Sequence, residues 1–130
     1  MSNSLISRLD GMESTADSIP KAATGSKTTS QHRAFVRELI LGQNPAGYIA
    51  HCKAIVDAEK PKYAASNAPL LIIAGQDDKS APLNGCKTIL SGVLSSKKNP
   101  IVLAGVGHWH CIEASEAVGR TISESCATIP

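Results

Sequence analysis

Residues 100–120 read PIVLAGVGHWHCIEASEAVGR, and residues 69–83 read PLLIIAGQDDKSAPL. The two stretches share one build: a proline, a short apolar run, a glycine and then polar residues. After the first run stand the imidazoles His108 and His110; after the second stand the carboxylates Asp77 and Asp78. A short apolar run bounded by turn residues is the pattern of a strand buried on both faces of a parallel sheet. Between the runs, LNGCKTILSGVL (83–94) suits a helix in spite of Gly85 and Gly92, and a last helix is expected from about Ile112 to Ser125. The order is strand, helix, strand, helix. Strands joined by a helical crossover lie parallel and connect right-handedly, so the loops that follow them leave at the same sheet edge, where open α/β sheets bind their ligands. Asp77 and Asp78 are thereby expected beside His108 and His110, although thirty residues separate Asp78 from His108.

Working outward, the N-terminal part is helical in texture. Leu5, Ile6, Leu9, Met12 and Ala16 give a weakly helical pattern from Ser4 to about Ala23, interrupted by Gly11. The small polar stretch KAATGSKTTSQ (21–31) reads as a loop. Ser30 is placed to cap a second helix carrying Phe35, Val36, Leu39 and Ile40 and ending at Gly42. Pro45 suits the first turn of a third helix, in which Tyr48, Ile49, Cys52, Ile55 and Val56 share a face. EKPKYAASNAP (59–69) reads as a helical turn leading into the first strand. The division expected is a helical region over 1–66 and an α/β part over 67–130.

Composition bounds the rest. A chain of 130 residues with 42% apolar residues suits one compact domain. The net charge of +2 is too small to argue for nucleic acid or a membrane surface. No apolar run nears the roughly 20 residues that span a bilayer, and MSNSLISRLDGMES (1–14) lacks the apolar core of a signal peptide; a soluble cytoplasmic protein is expected. Cys52, Cys86, Cys111 and Cys126 form no CxxC pair and would remain thiols in a reducing compartment. Cys86 and Cys111 read as buried or half-buried small side chains. Phe35, Tyr48, Tyr63 and Trp109 are the only large rings, so the core rests on Ile, Leu, Val and Ala; Trp109 reads as packing at a pocket rim.

A carboxylate beside an imidazole holds the ring in one tautomer and stabilises the imidazolium formed when the ring takes a proton from a hydroxyl nucleophile. An aspartate at a strand end also serves as a turn cap, and Asp77 has that reading open beside the functional one. His108, His110 and Cys111 could suggest zinc, but adjacent residues on one loop rarely converge on one ion, and no metal site is assigned.

These residues carry a resemblance. PLLIIAGQDDKSAP resembles the acid-bearing segment of α/β-hydrolases, a strand ending in Gly-x-x-Asp with a proline a few residues on: here Gly75, Asp78 and Pro82. GVGHWHCIEASEAVG (105–119) resembles the family's histidine loop, Gly-His with a Glu five residues later and then a helix: here His108 and Glu113. GMESTADS (11–18) and NPAGYIAHCKAIVDAEKPKYAA (44–65) resemble the helical cap of the branch that includes 3-oxoadipate enol-lactonases and related esterases. The resemblance implies the C-terminal part of an α/β-hydrolase fold, with a helical cap followed by two parallel strands and their helices. It implies Asp78 and His108 as catalytic acid and base, a small ester or lactone as substrate, and no cofactor. The family's nucleophile elbow, Gly-x-Ser-x-Gly, follows none of the ten glycines. The expectation is therefore a C-terminal half whose nucleophile belongs to an N-terminal half, or else an inactive fragment or interaction remnant. The isolated chain is expected to self-associate or to need that complementary half.

Overall fold

A computed structural model describes residues 11–66, 68–93 and 99–128. The described residues separate into two compact units, one falling within residues 1–22 and 29–60, the other within residues 23–28 and 61–130.

The first unit is helical. Helix α1 spans Glu13–Ala23; Gly11 just before it takes φ +67°, a left-handed turn that glycine adopts without strain. The expected helix thus begins at Glu13, and the portion anticipated over residues 4–10 lies outside the described residues. Met12, Ala16 and Pro20, spaced by four, are buried together with Thr15. Helix α2 spans Ser30–Leu41, and its N-cap is Thr29, whose hydroxyl accepts from the His32 N–H. The cap is one residue earlier than expected: in a Thr-Thr-Ser run either neighbour offers an equivalent hydroxyl, and here Ser30 is already helical. Val36 and Ile40, one turn apart, are buried, and Arg37 donates from Nε to Asp17 on α1 at 2.8 Å. Helix α3 spans Pro45–Asp57, capped by the Asn44 side chain, with Pro45 in its first turn. Its apolar face is largely bare, with Ile55 76% and Val56 82% exposed.

The second unit holds the sheet. A 3-10 turn, Tyr63–Ala65, precedes β1, Ile73–Gly75. Helix α4, Leu83–Gly92, leads to β2, Ile101–Leu103. The strands pair in parallel, Ile73 opposite Ile101 and Gly75 opposite Leu103, as the helical crossover requires. Cys86 and Leu90 on one face of α4, with Val93, Ala74, Val106 and Val118, make the buried apolar set. Burial on both faces of the strands is not what the structure shows: Ile101 is 37% and Val102 44% exposed. These two strands are the sheet among the described residues, and a pair has too few neighbours to cover both faces. The last helix is also not continuous. A short α5, His110–Glu113, ends where Ala114 leaves the helical region (φ −144°, ψ 46°), and α6 then runs Ser115–Cys126.

Candidate active site

Three glycines let the loops of the second unit close on one another. A Cβ on Gly75 would lie 2.3 Å from the Gly107 carbonyl oxygen and 2.5 Å from that of Val106. One on Gly107 would lie 2.5 Å from both the Ala23 oxygen and the Gly25 nitrogen, and one on Gly25 would lie 2.3 Å from the Gly105 oxygen. The loop after β1, the loop after β2 and residues 23–28 therefore cross backbone to backbone. Hydrogen bonds register the crossings: Asp77 N–H to Val106 oxygen at 2.9 Å, Lys27 N–H to Gly105 oxygen at 2.9 Å, and His108 N–H to Ala23 oxygen at 2.7 Å.

At this edge the two consecutive aspartates face different partners. Asp78 is buried, and its Oδ2 lies 2.9 Å from His108 Nδ1. Its Oδ1 accepts from the Ser80 and Ala81 N–H groups at 2.8 and 2.9 Å. Both oxygens of this carboxylate are thus engaged, and the imidazole is one of three donors. Burial pushes the Asp78 carboxyl up, but the Ala81 N–H, the His108 ring and the Ser80 N–H outweigh it, and the group stands below the ordinary aspartate value. The His108 side chain is 48% exposed whereas that of Asp78 is 4% exposed; the pair is a buried anion holding a ring that meets solvent. With Nδ1 engaged, Nε2 is the nitrogen left for proton transfer.

Asp77 does not reach His108. Its Oδ2 accepts from the Ser26 N–H at 2.8 Å, and that bond, with the Ser26 side chain, holds its carboxyl below the ordinary value. It clamps a segment 51 residues away rather than capping its own turn. His110 opens α5, and its Nδ1 and the Trp109 Nε1 are buried without a hydrogen-bond partner. Cys86 is buried as expected; Cys111, expected to be buried or half-buried, is exposed. Among the described residues no cluster of three or more His, Cys, Asp or Glu side chains could hold a metal ion, and no helix is long and apolar enough to cross a membrane.

Two participants were not foreseen. Residues 23–28 read as a loop in the sequence and are wedged between the acid and histidine loops. Glu113, named above as part of the resemblance but given no role there, is the acceptor at the centre of the crossing. Its Oε2 takes the Gly25 N–H at 2.7 Å, the Gly107 N–H at 3.1 Å and the Thr28 hydroxyl, while Oε1 takes the Trp109 N–H at 3.1 Å.

No protein-family model matches the sequence, and no curated protein matches it. Solved structures do match. A thermophilic esterase from Thermogutta terrifontis, solved with malate bound, superposes with a TM-score of 0.83 at 20% identity, over 95% of this chain and 47% of the esterase. The enol-lactonase from Burkholderia xenovorans LB400 superposes with a TM-score of 0.79 at 21% identity, over 93% of this chain and 47% of the lactonase. The chain spans about half the length of these structures, and its fold is that of the C-terminal half of an α/β-hydrolase.

Proposed function

We propose that Asp78 and His108 are the acid and base of an ester- or lactone-hydrolysing α/β-hydrolase whose nucleophile is supplied by a complementary N-terminal half. The observation that carries this reading is the 2.9 Å contact between a buried Asp78 carboxylate and Nδ1 of a half-exposed His108. An esterase and an enol-lactonase among the structural neighbours support the substrate class. In the reaction, a hydroxyl of the complementary half adds to the substrate carbonyl as its proton passes to His108 Nε2. Asp78 stabilises the imidazolium. The same proton then goes to the leaving alkoxide as the carbon–oxygen bond breaks, leaving an acyl-enzyme. Water resolves it by the reverse traffic, releasing the acid and restoring the hydroxyl. No cofactor enters, and the reaction is read as cytoplasmic.

A second reading has its own observation: none of the ten glycines opens a Gly-x-Ser-x-Gly elbow. By that reading the chain alone is catalytically silent and serves, if at all, as an interaction remnant. Reading the coding DNA upstream for a continuation with such an elbow, and producing the joined protein, separates the two. The joined protein should hydrolyse an activated butyryl ester and lose that turnover in His108→Ala and Asp78→Asn. A folded joined protein whose turnover is indifferent to His108→Ala would refute the hydrolase reading.

A further inference from the structure

The geometry points to Glu113 as a positioning residue for His108, acting through the backbone on either side of it. Three consecutive amides are held at the histidine: Gly107 N–H by Glu113 Oε2, His108 N–H by the Ala23 carbonyl, and Trp109 N–H by Glu113 Oε1. The two oxygens of one carboxylate thus straddle the histidine, which offers its own amide to a different acceptor. That second acceptor is tied down by the same group, since Glu113 also takes the Gly25 N–H and the Thr28 hydroxyl from the segment that begins at Ala23. The His108 side chain is half exposed. Its direction follows from where the backbone stands and from Asp78. A carboxylate accepts at every lone pair, so it suits a place ringed by four donors; an amide side chain would bring its own N–H groups against one or more of them. Bonds to a charged acceptor are also the stronger kind.

The value of a fixed ring to a reaction rests on the hydrolase reading above; the positioning itself is a property of this chain and is measured without turnover. In the full ¹⁵N-labelled chain at about pH 8.5, above the ordinary imidazole range, a long-range proton–nitrogen correlation shows which ring nitrogen of His108 bears hydrogen. His108→Gln identifies the signals. The native ring should carry its proton on Nδ1, facing Asp78. In Glu113→Gln the Gly107 and Trp109 amides should exchange about tenfold or more faster, the scale of losing a charge-assisted bond, and the ring should lose its single Nδ1–H form. Thr28→Val, which removes one donor and leaves both straddling bonds, should leave the tautomer unchanged even where it lowers stability. A folded Glu113→Gln with the native tautomer overturns the proposal. Should that variant not fold, native exchange decides: if the Gly107, His108 and Trp109 amides exchange as freely as open-loop amides while the ring keeps its Nδ1 proton, the proposal fails. An inactive joined enzyme would sink the hydrolase reading and leave this result standing.

Discussion

Replacing Gly75 by alanine tests whether the close crossing of loops builds the acid–base pair. The added Cβ would stand 2.3 Å from the Gly107 oxygen and 2.5 Å from the Val106 oxygen. Carbon approaches a carbonyl oxygen comfortably at about 3.3 Å, so the histidine loop would have to retreat by about 1 Å. It cannot retreat freely, because Gly107 already sits against the Ala23 oxygen and the Gly25 nitrogen. Overpacking of this kind costs about 1–3 kcal/mol. The Val106 oxygen is also the acceptor for Asp77 N–H at 2.9 Å, and its displacement adds about 1 kcal/mol. A destabilisation of about 2–4 kcal/mol is expected, accompanied by separation of His108 from Asp78. Urea titration followed by the fluorescence of Trp109, the single tryptophan and the neighbour of His108, reads both stability and the local environment. An unfolding free energy within about 0.5 kcal/mol of the native chain's, the usual range of a neutral surface change, would refute the crossing as described.

The same titration should show the opposite sign at Gly85 and Gly119, whose added Cβ would meet nothing within 4 Å: alanine there should stabilise by about 0.5–1 kcal/mol through helix propensity. Because the Asp78 and Asp77 carboxyls are held below their ordinary value in the folded chain, the unfolded state binds more protons as acid is added. Stability is therefore full above the ordinary aspartate range and falls as pH drops through the folded values. Asp78→Asn should flatten that fall in pH-dependent denaturation. The chain by itself should turn over no short acyl ester above background, and a fluorophosphonate probe should label no serine stoichiometrically. With Phe35 55%, Ile55 76% and Val56 82% exposed, light scattering at micromolar concentration should show self-association, reduced by Ile55→Lys; a monodisperse monomer with cooperative unfolding would contradict it.

How much of this was written in the residues varies by element. The strands, their parallel order and the nearness of the aspartate and histidine loops follow from two apolar runs and one intervening helix, which are local patterns; the pairing of Asp78 with His108 came with the resemblance to the α/β-hydrolase segments. The choice between Asp77 and Asp78 was harder, since consecutive residues leaving a strand face different ways and each finds a partner. Caps were readable to within a residue, as at Thr29 and Ser30. Exposure of Ile101 and Val102 was not, because an apolar run records what a residue is suited to touch and not how many neighbours it has. Least legible was residues 23–28. Its bonds run from backbone amides to carboxylates 51 and 88 residues away, and such bonds leave no periodic trace. The small residues Thr24, Gly25 and Ser26, which permit close approach, were the only available signal.

The Gly25–Glu113 bond also orders events in time. During synthesis at about 5–20 residues per second, the donor waits roughly 4 to 18 s for its acceptor to be made, and closure over so long a loop is slow even in the finished chain. Residues 24–29, threonine, glycine, serine, lysine and two threonines, are poor at continuing helix α1 and hydrate readily. A composition that reads as featureless loop is thus suited to a segment that must stay open until Asp77 and then Glu113 arrive, so the histidine loop is expected to lock last.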